Sequence, residues 1–208
     1  MKHTGQMLRW TRLLAMAGGL FLVGCMTINE AMLRKVSVFP EHRSVAVVEV
    51  RTGELRQQLN GEGQNKGAFS GSLVLDSVAN SMMARWKSKN IIADYAFTSE
   101  LKTTPDYTVT LSGVRREDSS IKGSIYSGLT LMLFPASAKL TYDLKLEFVN
   151  QHTQRRYLVK VKNAATTWTQ LLLLPAAPFA WLGGKHMVED MADYAYDELR
   201  LQGAFAGL

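Results

Sequence analysis

Alternating apolar and polar residues dominate the centre of the chain. In segment 140–148 five apolar positions alternate with Thr, Asp, Lys and Glu, and the alternation returns in 157–161 after the polar residues 150–154. A period of two places the apolar side chains on one face of a sheet. The two segments therefore predict a β-hairpin that is buried on one face and exposed to solvent on the other.

Three other segments also have strand character. Residues 45–50 form a short run of mostly β-branched apolar residues, residues 107–112 alternate, and 95–98 gives a weaker signal. Between the first and second of these, segment 52–71 contains five glycines among polar residues, which is typical of loops. We expect a long flexible loop there; its glycine spacing lacks the third glycine and the helix that a dinucleotide-binding turn requires.

Two segments have the three- and four-residue apolar spacing of amphipathic helices. The first stripe consists of Leu75, Val78, Ala79, Met82 and Trp86. The second consists of Met187, Met191, Tyr194, Ala195 and Leu199. Stripes at this spacing are usually core, so we expect both to pack against the sheet.

The order of these elements predicts the fold class α+β. We expect a two-layer sandwich, in which an antiparallel or mixed sheet of four to five strands carries two helices on one face. Residues 45–208 would form this single domain.

The N-terminal residues have the pattern of a secretory signal. Lys2, Arg9 and Arg12 lie in a start without acidic residues, and the uncharged apolar run 13–24 follows. Twelve residues make about 18 Å of helix, which is short of the roughly 30 Å hydrocarbon core of a bilayer. The run ends at Cys25, and the chain has no other cysteine.

The sequence Leu22-Val23-Gly24-Cys25 resembles the lipobox of bacterial lipoprotein precursors. This resemblance implies that residues 1–24 are a signal peptide and that Cys25 is the lipid attachment site, carrying a covalent diacylglycerol and an acyl chain. Met26 at the next position, rather than Asp, suggests an outer-membrane, lipid-anchored and periplasm-facing location. Segment 25–44 would then be the lipidated N-terminus and a tether.

The charge balance is modest once the leader is set aside. The chain has 24 Lys and Arg against 18 Asp and Glu, and loss of the three leader cations leaves a net charge of +3. The cations are also scattered, whereas nucleic-acid binding calls for a clustered basic face on a recognisable fold. We therefore expect no nucleic-acid partner.

Two apolar segments are unusual for a plain protein surface. Segments 128–138 and 169–183 each contain an aliphatic run that ends in Pro and small residues, and neither is long enough to span a bilayer. They are interpreted in three ways: as core, as an exposed patch for a protein partner, or as elements that enter the leaflet beside the lipid anchor. The candidate contact residues for a partner or membrane are Leu131, Leu133, Phe134, Leu172, Leu174, Phe179 and Trp181.

These apolar segments flank the predicted hairpin, and a Thr-Thr-Trp sequence at 166–168 precedes the second. In this the chain resembles small uncharacterised proteobacterial outer-membrane lipoproteins. The strand, helix, strand and hairpin order of 45–162 is also similar to the periplasmic domains of curli-secretion-pore and penicillin-binding-protein-activator lipoproteins. The second likeness is topological only.

Catalytic signatures are weak. His42, His152 and His186 lie at expected turns or element boundaries without metal-ligand spacing, and the acids at 117–118 follow two arginines as an expected loop charge cluster. We therefore predict no enzyme activity, no catalytic or metal-binding residues and no cofactor other than the lipid on Cys25.

The sequence leads to one main hypothesis and two alternatives. The main hypothesis is a membrane-anchored, non-enzymatic docking or accessory module of a cell-envelope assembly, with an envelope protein as partner. The first alternative is a lipid-binding or membrane-inserting protein that uses segments 128–138 and 169–183. The second is a hydrolase whose acids meet only in the folded chain.

Overall fold

Seven strands and two helices make up the part of the chain that the computed structural model describes, which is residues 24–30, 32–42, 44–60, 62–64, 68–98, 104–119, 125, 129, 136–170 and 180–205. The strands are β1 (Gly24–Asn29), β2 (Val47–Leu59), β3 (Glu62–Gln64), β4 (Asp94–Phe97), β5 (Tyr107–Ser119), β6 (Ala136–Asn150) and β7 (Arg156–Gln170). The helices are α1 (Ala68–Ser88) and α2 (Ala180–Leu201).

All seven strands belong to one mixed sheet. Its order is β1-β7-β6-β5-β2. Two short strands pair with the far edge of β2: β4 at the beginning of β2 and β3 at its end. β2 runs parallel to β4 and β5, while the other neighbouring pairs are antiparallel. The sheet is thus six positions wide, and it curls into a half-barrel.

The predicted sandwich with a sheet of four to five strands is therefore wrong, although the fold remains α+β. The prediction lacked β1, which lies in the expected tether 25–44, and β3, which lies in the expected loop. Both strands are held by backbone pairing, β1 to the sequence-distant β7 and β3 to β2. Backbone hydrogen bonds of this kind leave no periodic pattern in the side chains.

The expected glycine-rich loop 52–71 is also mostly regular structure. β2 continues to Leu59, and α1 already begins at Ala68. β2 pairs with β5 along this length. Between Thr52 and Leu55, β2 contains one residue more than the paired stretch of β5 from Leu111 to Gly113. Such a bulge bends a strand, so the glycine-containing segment curves with the sheet instead of leaving it.

The hydrophobic core lies between the two helices and one face of the sheet. Both predicted helical stripes are confirmed as core, since every member of them is buried except Tyr194, which is half-buried. Trp86 of α1 lies edge-on to Phe148 of β6, with ring centroids 6.5 Å apart, and its Nε1 donates a 2.8 Å hydrogen bond to the Ala192 carbonyl of α2. This side chain therefore joins both helices to the centre of the sheet.

Candidate functional site

Three features that the sequence singled out meet at one end of the sheet. Thr169, at the end of β7, pairs on one side with Cys25 in β1 and on the other with Ala136, the first residue of β6. Neighbouring strands lie about 4.8 Å apart. The predicted lipidation site and the described ends of both apolar segments are thus within about two strand spacings. We call this end of the sheet, defined by Cys25, Ala136 and Gln170, the anchor end.

The segment before β6 also starts at the anchor end. β5 ends at Ser119, which pairs with Ala138 near the beginning of β6, so the chain both leaves and re-enters the sheet there. Two residues within this connection are described, and both are exposed apolar residues: Ile125 is 57% exposed and Leu129 is 76% exposed. The two described residues of this connection are thus exposed apolar side chains.

Two more exposed apolar residues lie on the sheet itself. Trp168, which is 38% exposed, precedes Thr169, and Ile28 pairs with Thr166, two residues before Trp168. Cross-strand partners and residues two apart share a face, so Ile28 and Trp168 lie on the same face. It is the face opposite the helices, because Val159 and Val161 on the alternate positions of β7 are core.

Side-chain hydrogen bonds also fix β1 at its other end, just beyond Asn29. Glu30 accepts a 2.6 Å hydrogen bond from Lys139 of β6 and a 2.7 Å bond from Thr166 of β7. The bond from Lys139, and after it the bond from Thr166, holds the pKa of Glu30 below its ordinary value. Asn29 also donates a hydrogen bond of 2.5 Å to Asp190 of α2. The end of the strand that begins at the candidate anchor is therefore tied to the sheet and to a helix.

The other predicted contact residues can be placed only in part. Leu131, Leu133, Phe134, Leu172, Leu174 and Phe179 lie outside the described residues. Trp181 lies in the first turn of α2, and Cys25 lies in β1; the structure describes the backbone of both. Leu129 lies in the predicted apolar segment 128–138 although it was not one of the named contact residues. Ile28 and Ile125 were not predicted, because isolated aliphatic residues carry no signal until their exposure is known.

The histidines and the charge cluster lie elsewhere or serve local contacts. His152 Nε2 lies 2.9 Å from Asp106 at the opposite end of the sheet, and His186 Nδ1 lies 3.6 Å from Glu189 within α2. The acids at 117–118 lie in β5 rather than in a loop, and Glu117 accepts a 3.0 Å hydrogen bond from Arg115. Within the described residues, no group of three or more His, Cys, Asp or Glu side chains is arranged to hold a metal ion.

Neither of the two described helices has the length and apolar character needed to cross a membrane.

Comparison with known proteins finds likeness only among solved structures. No protein-family model matches the chain, and no curated protein matches it in sequence. Among the solved structures, protein XCC0632 from Xanthomonas campestris, which belongs to the family DUF330, has a TM-score of 0.42 and 13% identity over 83% of this chain and 94% of its own.

Two PelC dodecamers from Paraburkholderia phytofirmans are also similar. One of them, a variant crystallised in space group C2, has a TM-score of 0.27 and 13% identity over 81% of this chain and 97% of its own. The other, in space group P6, has a TM-score of 0.27 and 13% identity over 82% and 96%. At these scores the likenesses supply no argument about what this chain binds or does.

Proposed function

We propose that this chain is a lipid-anchored protein of the bacterial outer membrane, held through Cys25, and that its domain is a non-enzymatic docking or accessory module of a cell-envelope assembly. The observation that carries the proposal is the pairing of Thr169 with both Cys25 and Ala136. It puts the candidate anchor beside the described ends of the two apolar segments.

The anchor determines what these segments can reach. Acyl chains on Cys25 would lie in the leaflet, and two or more chains anchor a protein stably. Because β1 is bonded to β7 and tied by Glu30 and Asn29, the anchor end would be held close to the bilayer surface. The docking partner would then be a component exposed at that surface, contacted through the apolar segments.

A second candidate function is direct insertion of the segments into lipid. The exposure of Ile125, Leu129 and Trp168 favours it, because apolar residues beside a lipid anchor can enter the leaflet and tryptophan prefers the membrane interface. Both functions use the same end of the molecule, so they are distinguished by whether that end contacts a protein or lipid.

Lipidation is tested by expressing the full chain in a Gram-negative host and measuring its intact mass in purified membranes. We expect loss of residues 1–24 and an added diacylglyceryl and acyl mass, with fractionation to the outer membrane. A Cys25→Ser variant should lose that mass and leave the membrane. Wild-type protein without added lipid would contradict the proposal.

The contact is tested by photocrosslinking in intact cells, with a crosslinkable amino acid at Leu129, Trp168, Phe134 or Trp181. Leu158 is the matched control, since it lies on the same strand and face as Trp168, is 45% exposed, and is ten residues, about 33 Å, from it. A discrete protein adduct at the anchor-end sites supports docking, and lipid adducts alone support insertion. Equal adducts at Leu158, or internal crosslinks only, would refute both.

A further inference from the structure

A small cavity lies where β2 and β5 approach their ends. Its volume is about 190 Å³, and the described residues that line it are Gln57, Gln58, Leu59, Arg115 and Glu117. All of these except Leu59 are polar. The volume is below the range of sites for drug-sized molecules, so this β2–β5 cavity fits a group of only a few heavy atoms.

Two of the lining side chains carry buried N–H donors that lack an acceptor. Gln57 Nε2 and Arg115 Nε are both buried, and neither makes a hydrogen bond with the residues that the structure describes. Leaving a buried donor without an acceptor is costly, and the large majority of buried polar groups in proteins have a partner. An acceptor that enters the cavity would therefore be stabilised by both nitrogens.

The two donors belong to adjacent side chains on one face of the sheet. Gln57 in β2 and Arg115 in β5 are register partners. Leu55 packs against the core two residues before Gln57, and Leu111 lies in the core four residues before Arg115, so both lining residues are on the helix-side face. Neighbouring strands lie about 4.8 Å apart, so one acceptor group can serve both side chains.

The charge of the lining favours an uncharged ligand. Arg115 Nη2 donates a 3.0 Å hydrogen bond to Glu117 Oε2, so the guanidinium charge is already matched and its Nε is left to bind. The other carboxylate oxygen of Glu117 accepts no hydrogen bond from the described side chains. An amide group suits this arrangement, because its carbonyl accepts and its N–H donates, whereas a carboxylate would be repelled by Glu117.

We infer that the β2–β5 cavity binds a small, uncharged molecule that carries an amide group. Gln57 Nε2 and Arg115 Nε donate to the carbonyl oxygen, and Glu117 accepts from the amide N–H. The last torsion of the Gln57 side chain is soft, so its amide turns toward the bound oxygen at little cost. The site uses neither Cys25 nor the apolar segments, so its failure and that of the proposed function are distinguishable.

The test uses N-methylacetamide, methyl acetate and acetate as probes. The first two have nearly the same shape and differ in an N–H against an oxygen, and the third is charged. Each is titrated into the ¹⁵N-labelled full-length chain, held in an amphipathic polymer, while NMR follows the Nε–H signal of Arg115 and the side-chain amide of Gln57. Arg116 is the matched internal control, because its Nε already donates a 2.9 Å hydrogen bond to Gln58 on the opposite face.

We expect saturable shifts at both donors and none at Arg116. N-methylacetamide should bind about threefold to tenfold more tightly than methyl acetate, the range of one net hydrogen bond, and acetate should bind more weakly than the amide. Donor signals that respond to none of the probes, as expected if they bind only internal water, would overturn the proposal. So would equal shifts at Arg116, or equal affinities for the amide and the ester.

Two variants test the roles of the lining residues. Gln57→Leu should weaken N-methylacetamide binding about threefold to tenfold while leaving the circular dichroism unchanged, because the donor it removes has no partner among the described residues. Glu117→Gln leaves the Arg115 charge unmatched, so acetate should bind more tightly than it does to the wild type. Unchanged affinities in both variants would contradict the assigned contacts.

Discussion

Arg85 of α1 donates two hydrogen bonds to Asp193 of α2, from Nε at 3.0 Å and from Nη2 at 2.7 Å. The hydrogen bonds to Asp193 raise the pKa of Arg85, against a smaller opposing effect of burial. The next residue, Trp86, is bonded to Ala192, so two consecutive residues of α1 bind two consecutive residues of α2. This pair fixes how the helices lie on the sheet.

Asp193→Ala should lower the free energy of unfolding by about 2 kcal/mol, because it leaves the half-buried guanidinium of Arg85 without its two-point acceptor. Urea unfolding followed by circular dichroism measures the change. The matched control is Glu54→Ala, whose partner Arg56 is 71% exposed, and it should cost less than about 0.5 kcal/mol. Equal losses of stability in the two variants would show that the Arg85–Asp193 pair stabilises the fold no more than an exposed surface ion pair does.

Gly113→Ala should destabilise the fold by about 2 kcal/mol or more. A Cβ at this position would lie 2.3 Å from the Asp143 carbonyl oxygen and 2.9 Å from the Leu144 Cα, so β5 and β6 would have to separate.

Gly203→Ala is the comparison. Gly203 follows α2 at φ +76°, with its N–H bonded to Arg200 and that of Ala204 bonded to Leu199, and it has open space around the missing Cβ. Only the backbone penalty of about 1 kcal/mol should appear there. Thermal unfolding of the two variants should therefore rank Gly113→Ala as the less stable, and the reverse order would contradict the close approach of β5 and β6.

Stability should decrease at low pH through Glu49. This side chain is 6% exposed, and although burial raises its pKa, hydrogen bonds from Arg51, Thr98 and Thr108 outweigh that effect and lower it. Because the pKa of Glu49 is lower in the folded state, its ionised carboxylate stabilises the fold at pH values above the ordinary pKa of 4.5. This contribution is lost as the pH falls through the folded-state pKa.

Glu49→Gln should therefore show a shallower loss of stability below about pH 4.5 than the wild type. Denaturant unfolding at a series of pH values gives the slope. Thr108→Val removes one donor and should raise the carboxyl pKa of Glu49 in an NMR titration. Identical slopes for wild type and Glu49→Gln would contradict the stabilising role of the ionised carboxylate.

Cysteine pairs can test the register of β1. In a Cys25→Ala background, Ile28→Cys with Thr166→Cys should form a disulfide under mild oxidation, because these residues are direct cross-strand partners. Ile28→Cys with Lys162→Cys is the control, since the second cysteine lies four residues, about 13 Å, farther along β7. Non-reducing gels and peptide mass spectrometry read out the result. Crosslinking of the control pair alone would mean that Cys25 and Ala136 do not meet at the anchor end.

Local pattern was enough for the parts of this fold whose side chains separate cleanly into buried and exposed faces. The alternation at 140–148 predicted β6, where Leu144, Leu146 and Phe148 are core, and the weak signal at 95–98 corresponds to β4. The helical stripe containing Met82 and Trp86 was expected to be core, and it is. Burial of one face imposes the period of the element on the sequence, so that period can be recognised without a structure.

Backbone pairing and spatial convergence were decided only by the tertiary structure. The sequence by itself determined the segregation of apolar faces, the α+β class and the lone cysteine at the end of an apolar leader. It could not determine that β1 joins β7, that the glycine-containing part of β2 stays in the sheet, or that Thr169 has Cys25 and Ala136 as its two partners. Hydrogen bonds between strands about 140 residues apart use the same N–H and C=O groups that nearly every residue carries, so the choice among them is made only when the whole sheet assembles.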